Sequence, residues 1–235
     1  IAQQQKGNDY RGTDLFAVAP RPLGKAMKED FAEVEAATNV NIRGALLINE
    51  KKSFPETGLY TDADFFDVFT VHIIEGIGKE ALKNPDNILL TESLATKIFG
   101  ETSPLEQTIV MNSSIVLSVK GVIADPPKNQ HFQYNFIVSN KTSPSFTQDE
   151  NDWTRNNYHT YFTLSKGADH KNLEANLTIY DKHTKKPYEE AGLKFYPKLL
   201  ITPLKSIHLY SKMNSEIGEK GDIQYIYLFG FIGLI

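Results

Sequence analysis

Hydrophobic positions along this chain switch repeatedly between two periods. One is near 3.6 and turns one face of a helix inward; the other is two and buries one side of a strand. In residues 20–31, Leu23, Ala26, Met27 and Phe31 fall near helical spacing with Pro22 in the first turn, which predicts a short amphipathic helix. Residues 34–49 are rich in β-branched and aliphatic side chains and predict one long strand or two short ones, closing in a charged turn at 49–52. Asp62 is placed to cap a short helix burying Phe65, Phe66 and Phe69, and a strand is expected at 71–74.

After a polar loop at 75–87, residues 88–90 predict a strand that leads into a helix capped by Thr91. That helix carries Leu94, Ala95, Ile98 and Phe99 on one face and stops at Gly100. Residues 108–138 read almost entirely as β: strands at 108–111, 115–123 and 133–138, a polar turn at 112–114 and a break at Pro126 and Pro127. A stretch rich in Ser, Thr, Asn and Asp at 139–157 is expected to be a surface loop holding Trp153. Residues 158–164 alternate as a half-buried strand. Leu173, Leu177 and Tyr180 mark a helix expected to end within 182–187; 197–209 reads as extended, and 211–221 as a polar, glycine-containing link. Strands and helices mix without a strict repeat, so the expected class is α+β.

Residues 223–235 form an apolar run with no polar side chain after Gln224 and with Tyr225 and Tyr227 at its entrance. Two readings compete. Ten to fourteen apolar residues suit a buried core helix, whereas a span across about 30 Å of hydrocarbon needs roughly 20, of which this run would be the opening part. The tyrosines and the lack of a solvated face favour the second reading. On it, the chain is expected to be a segment of something longer at both ends.

Composition narrows the picture. At 235 residues, 40% hydrophobic and 23% charged, the chain has enough apolar content for a sizeable core, and too much charge for a protein that crosses a membrane many times. A net charge of -4 argues against nucleic acid as a partner, which calls for a basic excess. The absence of cysteine removes disulfides, thiol catalysis and thiolate metal sites.

The segments taken together resemble the extracytoplasmic core domain of MacB-like and FtsX-like ABC transporter permeases, in the long form common among Bacteroidetes. The likeness is carried by Val18-Ala-Pro-Arg-Pro-Leu-Gly24 with Phe31-Ala-Glu-Val-Glu35, Asp64-Phe-Phe-Asp-Val-Phe69, Leu89-Leu-Thr-Glu-Ser-Leu-Ala95 with Ile98-Phe-Gly100, Val119-Lys-Gly-Val-Ile-Ala-Asp-Pro-Pro127 with His131-Phe132, and Ile223-Gln-Tyr-Ile-Tyr227. The resemblance implies a mixed α/β membrane-proximal subdomain, Porter-like, made from 1–85 and a return segment 200–222. It also implies an inserted β-rich subdomain, Sabre-like, at 86–199, and the start of a transmembrane helix at 223–235. In one departure, Glu106 stands where family members often have a glycine, which predicts a differently shaped turn.

The resemblance implies a non-enzymatic domain of the bacterial inner membrane that faces the periplasm. It would couple ATP-driven movement of flanking transmembrane helices to export, extraction or partner activation. Its implied partners are the membrane, a cytoplasmic ABC ATPase, a second copy or paired permease, and a periplasmic adaptor or substrate protein, with no nucleic acid. The alternative is a ligand-sensing extracytoplasmic domain of a two-span receptor, which should enclose one pocket. A secreted binding module or hydrolase is a third possibility and requires the apolar tail to pack into the fold.

No catalytic, cofactor-binding or metal residue is expected. His72, His131, His159, His170, His183 and His208 lie too far apart in sequence for a locally spaced metal site. The pair Asp62 and Asp64, and the acidic run 149–152, do not fit an oxygen-ligand cation loop; the first reads as a helix cap and the second as solvated charge. Ser93 lacks a glycine-flanked elbow. Residues 76–79, Gly-Ile-Gly-Lys, lack the following glycine of a phosphate loop, which argues against a nucleotide site. Asn112, Asn140 and Asn176 match a glycosylation acceptor pattern by chance if the source is bacterial. The aromatic positions at Trp153 and 158–162 are either rings packed on the sheet or an exposed contact surface.

Overall fold

The computed structural model describes residues 1–6, 13–193, 196–218, 221 and 223–232, leaving out the side chains of 225 and 228. The chain forms two compact units, one continuous over 19–168 and one built from 1–18 with 169–235. These divisions differ from those expected at 85 and 199, because strands on both sides of residue 85 belong to one sheet. Strands β1 (Ala2–Gln5) and β2 (Leu15–Phe16) open the second of these units, described below.

In the 19–168 unit, helix α1 (Pro22–Asp30) leads into β3 (Val34–Asn49), β4 (Lys52–Thr61), the short helix α2 (Phe65–Val68), β5 (Ile73–Gly76), β6 (Asn87–Thr91) and helix α3 (Glu92–Phe99). Strands β7 (Thr108–Met111), β8 (Ile115–Ile123) and β9 (Phe136–Ser139), helix α4 (Pro144–Gln148) and β10 (His159–Leu164) complete it. Pairing runs β3 to β4, β9, β6, β8 and β7, and β7 pairs back onto β3 through Leu47 with Met111 and Ile48 with Val110. Six strands therefore close a ring, which leaves none of the six with two free edges. Strand β5 is added outside on β8, and β10 on the first half of β3.

Alternation along each strand sends Leu47, Ile88, Leu90, Ile109, Leu117, Val119, Phe136 and Val138 into one fully buried cluster, with Leu94 and Ala95 of α3 packed against it. Thr91 caps α3 by accepting a hydrogen bond from the Leu94 N–H at 3.4 Å, and Gly100 ends it at φ 63°, as the pattern predicts. Outward-facing Leu59, Leu89 and Ile137 are buried as well, and a 3-10 turn, Lys79–Lys83, packs on β6 and β9 and buries Ala81 and Leu82. The β7–β8 turn places Asn112 and Ser113 at φ 51° and 62°, and the Asn112 side chain accepts from the Leu46 N–H. Glu106 itself takes the left-handed φ of 62°. Its N–H donates to the Val119 carbonyl, and its carboxylate meets Lys120 at 2.5 Å.

Strand β4 is not legible in the pattern because Pro55 and Gly58 interrupt it. Both fit the topology. Strand β9 pairs only with Gly58–Thr61, so Pro55 lies where its missing N–H breaks no ladder on that side. Gly58 faces the Phe136 ring so closely that a Cβ would lie 2.1 Å from it. The segment 139–157 also departs from a simple surface loop: it contains α4 and buries Asn140, Thr142, Phe146 and Asp149.

In the other unit, β1 lies between β11 (Pro197–Leu200) and β2, all antiparallel, and Asn214 bridges to Phe16. The polar string 2–5 forms a strand because it is the central one. Gln3 is fully buried there, with a side-chain amide lacking a hydrogen-bond partner among the described residues. Helix α5 (His170–Asn176) does not end in 182–187: α6 (Asp181–Thr184) and α7 (Lys186–Glu190) continue the helical path, with Pro187 in the first turn of α7. Only the start of 197–209 is extended, since α8 (Leu204–Tyr210) is helical after Pro203. Helix α9 (Ile223–Ile232) exposes Ile226, Tyr227, Phe229, Phe231 and Ile232.

Replacing Gly58 by alanine is expected to cost about 3 kcal/mol in urea unfolding, because overpacking a filled interior forces displacement. Adding Phe136→Leu should recover part of that loss, giving a clearly non-additive pair.

Candidate functional site

The 19–168 unit holds a half-open groove of about 800 Å³ between α1 and the segment 141–153, floored by β3 and the end of β4. From α1 it receives Arg21, Pro22, Lys25, Ala26, Lys28 and Glu29, from the floor Ala37, Asn39, Asp62 and Asp64, and from the opposite wall Lys141, Phe146, Glu150, Asn151 and Trp153. The four cationic and four acidic side chains among them balance at neutral pH. Two pairs are already joined, Lys28 to Asp64 at 3.0 Å and Lys25 to Glu29 at 3.8 Å.

Arg21 is held from three directions. Ala19 and Tyr158 exchange backbone hydrogen bonds at 2.7 and 3.2 Å, the Asn39 amide donates to the Arg21 carbonyl at 3.0 Å, and the guanidinium carbon lies 3.6 Å from the centre of the Phe146 ring. Phe146 is braced in turn by Tyr158, edge-on at 5.6 Å. The Tyr158 hydroxyl donates to Asp149 at 2.8 Å, and Arg155 reaches the same carboxylate at 3.1 Å. Burial, then the bonded Asp149, push the Tyr158 phenol up to about 12, so it stays a donor. Asp149 is 3% exposed, which corrects the expectation of solvated charge at that position, while Glu150 is exposed as expected. Tyr158, at 1% exposed, packs as a core ring.

Asp62 does not cap α2 as expected. Asp64 occupies the cap position without a side-chain bond, while Asp62 turns onto β3 and accepts from the Thr38 hydroxyl at 2.8 Å and the Asn39 N–H at 3.2 Å. Burial raises its pKa to about 6 against the lowering effect of those bonds. Thr38 and Thr61 hydroxyls are 2.9 Å apart, and Thr61 donates to the Asn39 carbonyl at 3.0 Å.

The remaining sequence candidates are scattered. His131 contacts the Tyr161 hydroxyl at 2.9 Å beside an aromatic cluster of Phe65, Phe69 and Phe132, and burial lowers its pKa. His170 lies 3.8 Å from Asp169; His72 and His208 are exposed, and His159 and His183 are half-buried in β10 and α6. Among the described residues no three His, Asp or Glu side chains gather in a metal-binding group. Ser93 donates to Asp125 at 2.7 Å on the surface. In 76–79, Gly76 ends the edge strand β5 and Lys79 pairs with Asp67. Asn140 is buried and donates to the Asn39 carbonyl, while Asn176 is exposed. Sequence reasoning singled out Trp153 and Asp62 but missed Arg21. The one available signal was an aromatic pair, Phe146 and Trp153, in an otherwise polar stretch.

Comparison with known proteins gives the class. The chain matches the MacB-like periplasmic core domain over residues 1–180 and belongs to that family, the periplasmic domains of MacB-like ABC transporter permeases. Its fold is similar to a domain of a permease protein from Porphyromonas gingivalis, with a TM-score of 0.71 at 23% identity over 88% of this chain and 92% of that one. It is also similar to the periplasmic region of MacB from Actinobacillus actinomycetemcomitans, at 0.54, 17% identity and coverage of 83% and 86%. A third neighbour is the extracellular domain of the noncanonic ABC-type transporter YknZ from Gram-positive bacteria, at 0.55, 14% identity and coverage of 79% and 90%. No curated protein matches the chain. The expected family and the α+β class both hold, the latter as a large mixed sheet with helices packed on it.

Stability should depend on pH through Asp62. The unfolded carboxyl loses its proton near 3.8, whereas the folded one keeps it to about 6, so the folded state binds more protons in between. Stability is therefore expected to fall as pH rises from 4 to 6, by up to about 3 kcal/mol, and then to level off. Asp62→Asn should flatten that slope in urea titrations run across the window.

Proposed function

We propose that this domain stands on the outer face of a bacterial inner membrane and transmits ATP-driven movement of membrane helices to a substrate or partner in the periplasm. The observation that carries the reading is the composition of the smaller unit. It draws residues 1–18 and 169–235 into one body, with 19–168 as a continuous insertion, so displacement at either root is delivered to a single sheet. In this reading the unit built from both stretches is the membrane-proximal part and the closed ring belongs to the insertion, with boundaries near 18 and 168 in place of 85 and 199.

Helix α9 supports attachment to a membrane. Its described side chains are apolar apart from Gln224, and Phe229, Phe231 and Ile232 are all exposed, a patch that costs free energy in water and gains it in hydrocarbon. Among the described residues no helix is long and apolar enough to cross a membrane; in this reading α9 is the part of the chain that meets lipid. ATP is hydrolysed on a separate cytoplasmic ABC ATPase domain or subunit. Two copies, or a paired permease, bring two domains together to act on an adaptor or substrate protein, as rigid bodies moved by their roots.

The chain has no cysteine, so a single one introduced at exposed Val116 of β8 gives an unambiguous label. In the full permease assembled with its ATPase in liposomes, energy transfer from a dye at Val116→Cys to a lipid-borne acceptor is expected to change on ATP addition. It should return after hydrolysis and stay constant with an inactive ATPase. A signal indifferent to ATP refutes the coupling.

A further inference from the structure

Arg21 poses a problem that its surroundings do not solve. Its guanidinium carries five N–H donors, lines the groove, and makes no side-chain hydrogen bond or ion pair among the described residues; its Nη1 is shielded from solvent without a partner. Buried donors are nearly always satisfied, and one shielded from water without a partner is costly. Burial accordingly lowers its pKa, opposed chiefly by the nearby Glu150 charge. Yet the group is held firmly, with its backbone fixed by Asn39 and its plane against Phe146. A stacked guanidinium presents a planar fork suited to the two oxygens of a carboxylate or phosphate.

The rest of the groove decides between those anions. Asp62 and Glu150 offset Arg21 and Lys141, so a dianionic phosphate would meet about twice the repulsion from these two acids that a single carboxylate meets. Asn151 adds an amide group and Trp153 an aromatic surface, features that suit the backbone and side chains of a peptide. The volume falls within the range of ligand clefts, about 300–1,000 Å³. We propose that this groove binds an extended acidic peptide through a side-chain carboxylate of that peptide, with Arg21 as the anchor.

Trp153 is the only tryptophan of the chain and lines the groove, so its fluorescence reports occupancy directly. Titration of the 235-residue chain with acetyl-Ala-Glu-Ala-amide should change that emission saturably, while acetyl-Ala-Gln-Ala-amide should leave it unchanged. Arg21→Gln should abolish the response, and Arg21→Lys, which keeps the charge and loses the fork, should weaken binding at least tenfold, with melting curves confirming that both variants fold. Glu150→Gln, which removes a charge competing for Arg21, should tighten it severalfold. The proposal is overturned if the glutamine peptide binds equally, if folded Arg21→Gln binds as well as the parent, or if acetyl-Ala-Gln-Ala with a free C-terminus binds in place of the glutamate peptide. Inorganic phosphate binding as tightly as that peptide overturns it too.

Discussion

Strand β3 is the constraint on which the larger unit rests. Its sixteen residues serve two structures in succession: the first half pairs with β10 and supports α1, and the second half pairs with β4 and β7 and closes the ring. Closure requires β7 to reach both β3 and β8, which happens because Met111 and Ile109 are drawn into the same interior as Leu47 and Leu117. Burial of apolar side chains at roughly 25 cal/mol per Å² supplies the drive, and the ladder hydrogen bonds satisfy the backbone that burial desolvates. The groove inherits its rigidity from this arrangement, since its floor lies where β4 leaves β3.

Polar groups are handled differently in the two halves of β3. The ring interior is almost wholly aliphatic and aromatic. Around Asn39 the strand instead gathers Thr38, Thr61, Asp62, Asn140 and Thr160 into a network in which nearly every group has a partner. Such a network specifies one arrangement of strands and loop, because a shift by one residue would leave several buried groups unsatisfied. Arg21 stands at its margin with Nη1 shielded and without a partner among the described residues. That contrast, a satisfied floor beneath a shielded and unpartnered Nη1, marks the groove as something other than ordinary packing.

Much of the fold was readable in the chain. Helix α1, the Thr91-capped α3, the β7–β8 hairpin and β10 follow from periodicity and turn chemistry, and their order carried the family resemblance. What escaped had physical reasons. Strand β1 is three glutamines and an alanine, and only its central place between β2 and β11 makes it a strand. Strand β4 contains a proline and a glycine that local rules read as breaks, but a stretch that β9 does not reach and the Phe136 ring accommodate them. Asp149 looked solvated because its partners, Tyr158 and Arg155, are positioned by a fold that local pattern does not contain. The groove was illegible for the same reason: Arg21, Asp62 and Glu150 converge only after β3 and β10 have paired.

The placement of β3 also bears on how this unit carries load. At about 3.3 Å per residue its contour is near 50 Å. Tension along that axis would strain the flanking cross-strand bonds simultaneously, in shear, so rupture would demand that many fail together; peeling at the four-residue margin β5 would break them one by one. The same body is thus stiff when pulled lengthwise and yielding at its rim.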